Sequence, residues 1–341
     1  MIATSQQEDK KTLSLGFIGV GWIGRNRMEV LLNTGKAEAA VISEPYEQNG
    51  VEAQKSAPAA KIINDPEAVY TNPDIDGIVI ATPSAMHAAQ SIEALNAGKA
   101  VFCQKPLGRT AKEVREVVEV SQKADKLLAV DMSYRYTKAF EAVYKTVTSG
   151  EIGKVYAVDL VFHNAYGPDK EWFYDIKRSG GGCVMDLGIH LVDLAFWTLG
   201  FPEVDEVKSH LFSKGVKLQP NEEKVEDFAK VSMLTADDTA ISLECSWHVS
   251  AGQDAVIEAK FYGTEGGAAF KNINGSFYDF KAEKYKGTHT ETLVSPPDDW
   301  SGRAGVVWAE NILEGRGYDA VTGEELIKSA EIIDRIYGRS T

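Results

Sequence analysis

The sequence predicts an α/β protein in two parts: a doubly wound parallel sheet, then an α+β domain with a large open, mostly antiparallel sheet. Three observations point there. Over residues 13–130, short β-rich runs alternate with helical periodicity, the pattern of parallel strands joined by right-handed crossovers. A glycine-rich turn, Gly19-Val20-Gly21-Trp22-Ile23-Gly24, sits between the first strand and the first helix. Beyond Val204, strand-like stretches follow one another with little helix between them.

In the first part, strands are expected over 13–18, 39–42, 60–63, 77–81, 100–103 and 127–130, with helices over 25–34, 48–56, 86–97 and 111–124. Residues 77–81 are nearly all apolar, as a strand covered on both faces requires. Gly98 supplies a helix stop. After Tyr136 the pattern changes: a helix over 140–149, a long strand over 155–162, a helix over 183–199, strands over 206–213, 227–235, 239–248, 255–262 and 267–271, and a closing helix over 324–337. The 341 residues accommodate two domains. These are expected at 1–136 and 137–341, with helix 324–337 free to pack back on the first. Residues 1–11 read as a short polar lead-in, with neither the basic start nor the apolar stretch of a secretory signal.

Hydrophobic residues at 44% and charged residues at 25% describe a folded globular chain. The formal net charge of -14 repels phosphate backbones and anionic membranes, which argues against nucleic acid or a membrane surface as partner. The apolar runs are strand-sized, too short to span a bilayer. Cys103, Cys183 and Cys245 are widely spaced and odd in number, suited to buried thiols in a reducing compartment rather than to disulfides or zinc. A cytoplasmic location is the expectation.

The glycine turn fits a dinucleotide cradle. Gly19 permits the tight turn, Gly21 lets a pyrophosphate approach the backbone, and Gly24 lets helix and strand pack closely. Trp22 and Ile23 belong to the same turn, and the start of the helix that follows offers free N–H groups to the phosphates. Glu44 lies 20 residues after Gly24, directly after Val41-Ile42-Ser43. A carboxylate there accepts hydrogen bonds from the adenosine ribose and repels a 2′-phosphate, which favours NAD over NADP.

Residues 100–103 run into Gln104-Lys105-Pro106, placing Lys105 at the carboxyl edge of the sheet, where ligands of such sheets bind. An ammonium there can stabilise negative charge developing on a substrate oxygen. Pro106 restricts the backbone of Lys105 and admits a cis bond. Thr82-Pro83, with His87, is expected beside the nicotinamide end of the cofactor.

Gly180-Gly181-Gly182 precedes a helix on which Asp186, His190 and Asp193 are spaced to share one face. Imidazole is the natural acceptor for an alcohol proton near neutral pH, and a neighbouring carboxylate can orient it. No third ligand at metal spacing accompanies the pair, so no metal is expected. His163, Asn164 and Trp172 offer hydrogen bonds and an aromatic face to a substrate. Trp300 and Arg303 are further candidates.

These segments in order resemble the glucose–fructose oxidoreductase / inositol dehydrogenase family over nearly the whole chain. The carriers are the glycine turn, Ala81-Thr82-Pro83 with His87, Lys105-Pro106, Tyr134-Arg135-Tyr136, Gly150-Glu151-Ile152-Gly153-Lys154-Val155, and Gly180-Gly181-Gly182 through Asp186, His190 and Asp193. The resemblance implies an N-terminal Rossmann domain, NAD or NADP, and a sugar, inositol or related polyol as substrate. It implies Lys105, Asp186 and His190 as catalytic groups, and homodimers or homotetramers through the C-terminal sheet. One departure is plain. The family's usual Glu-Lys-Pro is Gln104-Lys105-Pro106 here, which keeps a ribose hydrogen bond but removes a charge beside the lysine. Two alternatives stay open: an NAD-dependent glycosidase on the same fold, and a non-catalytic dinucleotide-binding regulator.

Overall fold

The computed structural model describes residues 12–219 and 222–340. The polar lead-in expected at residues 1–11 lies outside the described residues. The first layer runs β1 (Leu13–Ile18), α1 (Trp22–Asn33), β2 (Ala37–Ser43), α2 (Glu47–Ser56), β3 (Lys61–Ile63), α3 (Glu67–Tyr70), β4 (Gly77–Ile80), α4 (Ser84–Asn96), β5 (Ala100–Cys103), α5 (Ala111–Ala124) and β6 (Leu128–Val130). Its six strands pair in parallel in the order β3-β2-β1-β4-β5-β6. The strand order reverses between β1 and β4, which opens a crevice at the carboxyl ends of the strands. Local signals agree with the elements: β4 and β5 are buried at every residue, and Thr110 caps α5 by accepting the Glu113 N–H.

The second layer continues with α6 (Lys138–Thr148), β7 (Val155–Asn164), α7 (Ile176–Ser179), α8 (Ile189–Leu199), β8 (Val204–Ser213), β9 (Val216–Lys217), β10 (Phe228–Thr235), β11 (Ala240–Ser246), β12 (Ala255–Gly263), β13 (Gly267–Asn272), β14 (Phe280–Lys286), β15 (His289–Val294), α9 (Arg303–Leu313) and α10 (Ala320–Ile336). The nine-stranded sheet has the order β15-β14-β13-β12-β7-β11-β10-β8-β9. Among the described strands of this sheet, only β7 and β11 pair in parallel. Helices α6, α8 and α10 cover one face; the other carries exposed groups such as Tyr156.

Three differences from expectation have physical reasons. Strands β14 and β15 were not expected, because FKAEKYK and HTETLV are charged and polar; β14 pairs with β13 and β15, and β15 forms the sheet edge, where such residues belong. Helix α9 follows a Pro- and Gly-rich loop that hid its start. It also breaks the linear boundary at 136/137, because Trp308 packs on Phe102 at 5.7 Å and joins the core of the first sheet. Helix α10 likewise bridges the layers, with Arg115 paired to Glu331 at 2.5 Å and the Ala111 N–H donating to Asp334. Finally, residues 183–199 do not form one α-helix: a π-helical turn, Val184–Gly188, precedes α8. The apolar stretch Ile176–Leu199 is long enough to cross a bilayer, yet its most apolar window is 78% buried within the fold. It is a core helix.

Candidate active site

A cleft of about 1510 Å³ runs along the carboxyl edge of the first sheet and under the second. Its first wall is the glycine turn. The backbone turns at Gly19 with φ +83°, where a Cβ would lie 2.7 Å from the Ala81 carbonyl oxygen. A Cβ on Gly24 would meet the Gly19 carbonyl oxygen at 2.2 Å, so β1 and α1 close only over glycine. Gly24 itself stands behind the cleft rather than in its wall. At Gly21 a Cβ would meet no protein atom within 4 Å. Packing does not demand that glycine, but close approach of a ligand does. Helix α1 begins at Trp22 with no side-chain cap and no acid in its first turn, so its N–H groups are free to bind an anion.

Glu44, at the end of β2, is buried. Its Oε2 accepts the Val20 N–H at 2.9 Å and its Oε1 the Tyr46 N–H at 3.0 Å. The carboxylate is thus held rigidly at the cleft wall with lone pairs to spare. These features fit a dinucleotide: an open glycine, a bare helix start and a fixed acid at the end of the second strand.

Thr82, Pro83, Gln104 and Lys105 line the same cleft. His87 lines it too, but both its ring nitrogens are engaged by the chain. Nδ1 lies 2.7 Å from the Pro106 carbonyl oxygen and Nε2 2.7 Å from that of Thr82. Burial lowers its pKa, and the two carbonyls pull the other way. The expected cofactor ligand is therefore a brace between the Thr82-Pro83 loop and the Lys105-Pro106 turn. Lys105-Pro106 is a cis peptide.

Lys105 Nζ donates to the Asp186 carbonyl oxygen at 2.6 Å and to Asp186 Oδ1 at 2.7 Å. Asp186 Oδ2 accepts the Trp247 indole N–H at 3.1 Å. His190 also lines the cleft. Its Nδ1 is buried without a hydrogen-bond partner, and Tyr134 meets the ring edge-on at 4.9 Å. Burial drives the imidazole pKa well below 6.5, and the positive charges of Lys105 and Arg27 push the same way. The ring is neutral at physiological pH, able to take a proton.

The one-face expectation for Asp186, His190 and Asp193 needs correcting. The π turn changes the angular spacing, so Asp186 clamps Lys105 and does not orient His190. Asp193 is buried against Arg135, with contacts of 2.8 and 2.6 Å. His163 and Asn164 are not among the cleft-lining residues. His163 bonds Ser246 Oγ at 2.8 Å, and Asn164 accepts the Tyr166 N–H at 2.8 Å. Trp172 does line the cleft, stacked on Phe173 at 3.8 Å. So does Trp300, whereas Arg303 is tied to Asp298 at 2.7 Å outside it.

Sequence reasoning missed three groups. Asp131, just past β6, lies in the cleft floor with Arg27 and Ser133; its position at a strand's carboxyl end was the available signal. Phe277 and Tyr278 line the cleft from the loop before the unforeseen β14. Glu226 is buried and accepts the N–H groups of Gly182 and Val184 at 2.9 Å each, fixing the glycine loop before Asp186.

Residues 13–132 match an oxidoreductase family with an NAD-binding Rossmann fold, and residues 140–269 match the GFO/IDH/MocA C-terminal domain. The chain belongs to the GFO/IDH/MocA family of oxidoreductases. It is 28% identical over 263 residues to an inositol 2-dehydrogenase of Rhizobium meliloti, covering 76% of each chain. It is 28% identical over 219 residues to a D-glucoside 3-dehydrogenase of Escherichia coli, covering 61% of this chain and 62% of that one. The match thus spans less than two thirds of the Escherichia coli relative. Among solved structures, GenD2 from gentamicin A biosynthesis, in complex with NAD, aligns with a TM-score of 0.79 at 22% identity over 99% of this chain and 97% of that one. Levoglucosan dehydrogenase in complex with NADH and L-sorbose aligns with a TM-score of 0.81 at 20% identity over 96% of each. These likenesses establish the shared fold, with both layers of the GFO/IDH/MocA architecture present.

Proposed function

We propose that this GFO/IDH/MocA oxidoreductase uses NAD to oxidise a secondary alcohol on a sugar, cyclitol or related polyol, or to reduce the matching ketone. The observation that supports the reading is that an ammonium and a neutral imidazole, Lys105 and His190, line one cleft with the glycine turn.

NAD, when bound, supplies the hydride acceptor of the nicotinamide ring. Gly19, Gly21, Trp22 and Ile23 hold the pyrophosphate at the start of α1, and Gly24 lets β1 and α1 close behind them. Glu44 takes the adenosine ribose hydroxyls and disfavours the extra phosphate of NADP. Thr82, Pro83 and Gln104 bound the nicotinamide side. His190 accepts the hydroxyl proton at a ring nitrogen. Lys105 donates a hydrogen bond to that oxygen as charge builds on it. Asp186 holds Lys105 in place. Trp172, Phe173, Tyr278 and Trp300 offer aromatic faces to a ring substrate. The relatives' names, inositol 2-dehydrogenase and D-glucoside 3-dehydrogenase, support a ring hydroxyl as the reacting group. The uncovered face of the nine-stranded sheet supports assembly of two or four copies.

The test is a panel of sugars, polyols and cyclitols incubated with NAD or NADP and read by absorbance of the reduced cofactor. Reduction of NAD by at least one ring polyol is expected. No reduction with any of them, in either direction, contradicts the reading.

A further inference from the structure

The lysines and arginines lining the cleft are Arg27, Lys105, Lys170 and Arg178. The first three each face a carboxylate: Arg27 has Asp131 at 2.6 Å, Lys105 has Asp186 at 2.7 Å and Lys170 has Asp169 at 3.1 Å. Arg178 has no such partner among the described residues. It is the exception among the arginines as well. All ten lie within the described residues. The others each give their guanidinium to a carboxylate or a backbone carbonyl, from Arg25 with Glu29 to Arg335 with the Val204 carbonyl oxygen. The Arg178 guanidinium engages neither.

The backbone on either side of Arg178 is nevertheless held firmly. Asp175 caps α7 by accepting the Lys177 N–H. Arg109 Nη1 donates to the Lys177 carbonyl oxygen at 2.5 Å, and Arg339 Nη2 to the Gly180 carbonyl oxygen at 2.5 Å. Both of those arginines have acids of their own, Glu113 and Asp334. Two guanidinium groups thus fix the ends of a short segment whose own guanidinium stays free. Arg178 is exposed, so it stands at the mouth of the cleft rather than in its floor. Its neighbours in the wall include Trp172, Asp186 and His190, all from one stretch of chain in the second layer. The charge therefore belongs to the substrate half of the cleft, across from the glycine turn.

A guanidinium is planar, permanently charged and weakly hydrated, and its fork of N–H donors matches a carboxylate or a phosphate. A neutral polyol makes no use of that charge. We propose that the substrate is a sugar, cyclitol or polyol carrying an oxyanion, as a carboxylate or a phosphate, and that Arg178 binds this group at the cleft mouth while a hydroxyl elsewhere on the molecule meets Lys105 and His190. This rests on the polyol reading given above and narrows its substrate class. The formal net charge of -14 does not oppose it. Exposed charges more than about 8 Å away are largely screened at physiological salt, so the nearest unpaired cation decides.

The experiment titrates the full-length protein, saturated with NADH, by calorimetry with matched compounds: D-glucose against D-glucuronate and D-glucose 6-phosphate, D-glucitol against D-gluconate, and myo-inositol against its monophosphate. At least one anionic member should bind roughly tenfold more tightly than its neutral counterpart, the size of one bidentate charge-assisted contact. The carboxylate and phosphate arms show which oxyanion fits. Arg178→Gln should remove the preference and leave NADH affinity and the melting temperature unchanged, since the side chain makes no contact that the fold needs. The proposal is overturned if no anionic member binds better than its neutral counterpart, or if the preference survives in Arg178→Gln. It is also overturned if Arg178→Gln weakens NADH binding, which would give the guanidinium to the cofactor. The two readings fail separately. An oxyanion preference that depends on Arg178, with no NAD reduction by any compound, removes the dehydrogenase reading and keeps this one. Oxidation of a neutral polyol at a rate unchanged in Arg178→Gln does the reverse.

Discussion

Lys105 Nζ is held twice by one residue, Asp186, through its backbone carbonyl oxygen at 2.6 Å and its carboxylate Oδ1 at 2.7 Å. The lysine belongs to the first sheet and the aspartate to a π-helical turn of the second layer. The clamp therefore makes the ammonium's position depend on both halves of the fold. Among the described residues, His190, one helical turn on, has no carboxylate partner, and its Nδ1 has no hydrogen-bond partner.

That arrangement predicts separate effects for the two residues around Lys105. Asp186→Asn should lower kcat roughly 10²-fold, the size of losing one well-placed charge stabiliser, with NADH affinity unchanged. His190→Ala should lower kcat roughly 10²–10⁴-fold, the contribution of a positioned general base. Steady-state kinetics beside NADH titration checks both; equal loss of NADH affinity and kcat contradicts the assigned roles.

The buried His190 ring sets a pH dependence. Its folded pKa lies well below the unfolded value of 6.5. Between the two values the unfolded chain binds more protons, so stability rises with pH there. The contribution is complete above 6.5 and is lost as pH falls through the folded pKa, with a slope of at most about 1.4 kcal/mol per pH unit. Urea unfolding at stepped acidic pH should show a shallower loss in His190→Gln than in the unaltered protein. The acidic limb of the oxidation rate assigned to His190 should likewise lie below 6.5.

Two glycines of the cradle should separate by assay. Gly24→Ala puts a Cβ 2.2 Å from the Gly19 carbonyl oxygen, so it should destabilise the fold by about 1–3 kcal/mol. Gly21→Ala meets no protein atom. It should leave the melting temperature unchanged while weakening NADH binding roughly tenfold or more. Melting and titration of the two variants give the comparison.

Cofactor choice should rest on the charge of Glu44. Glu44→Gln keeps the size of the side chain and removes the repulsion of a 2′-phosphate. The ratio of kcat/KM for NAD over NADP should narrow by roughly tenfold. An unchanged ratio places the discrimination elsewhere.

The first layer was legible in sequence because its turn needs glycine at set offsets and its strands are buried on both faces. The placement of Lys105 at the carboxyl edge of the sheet was legible from its strand, and Asp186 and His190 stood out by residue type; all three line the cleft. Their mutual geometry was not. The spacing Asp186, His190, Asp193 reads as one α-helical face, and a π turn, invisible to that periodicity, rotates Asp186 onto Lys105 and leaves Asp193 with Arg135. His163 and Asn164 were misjudged because a strand end beside a loop says nothing of which sheet face meets the cleft. Asp131 was overlooked because a single acid after a short strand looks like any solvated turn residue. Only its burial with Arg27 and Gln104 sets it apart.

The central claim is that Lys105 and His190 act on one substrate oxygen. The direct test is kcat for Lys105→Ala, His190→Ala and the double variant, with the polyol that the substrate panel identifies. Groups acting as a unit are strongly non-additive, so the double variant should lose no more than about tenfold beyond the worse single variant. Losses that multiply in full would mean that the two side chains serve different atoms.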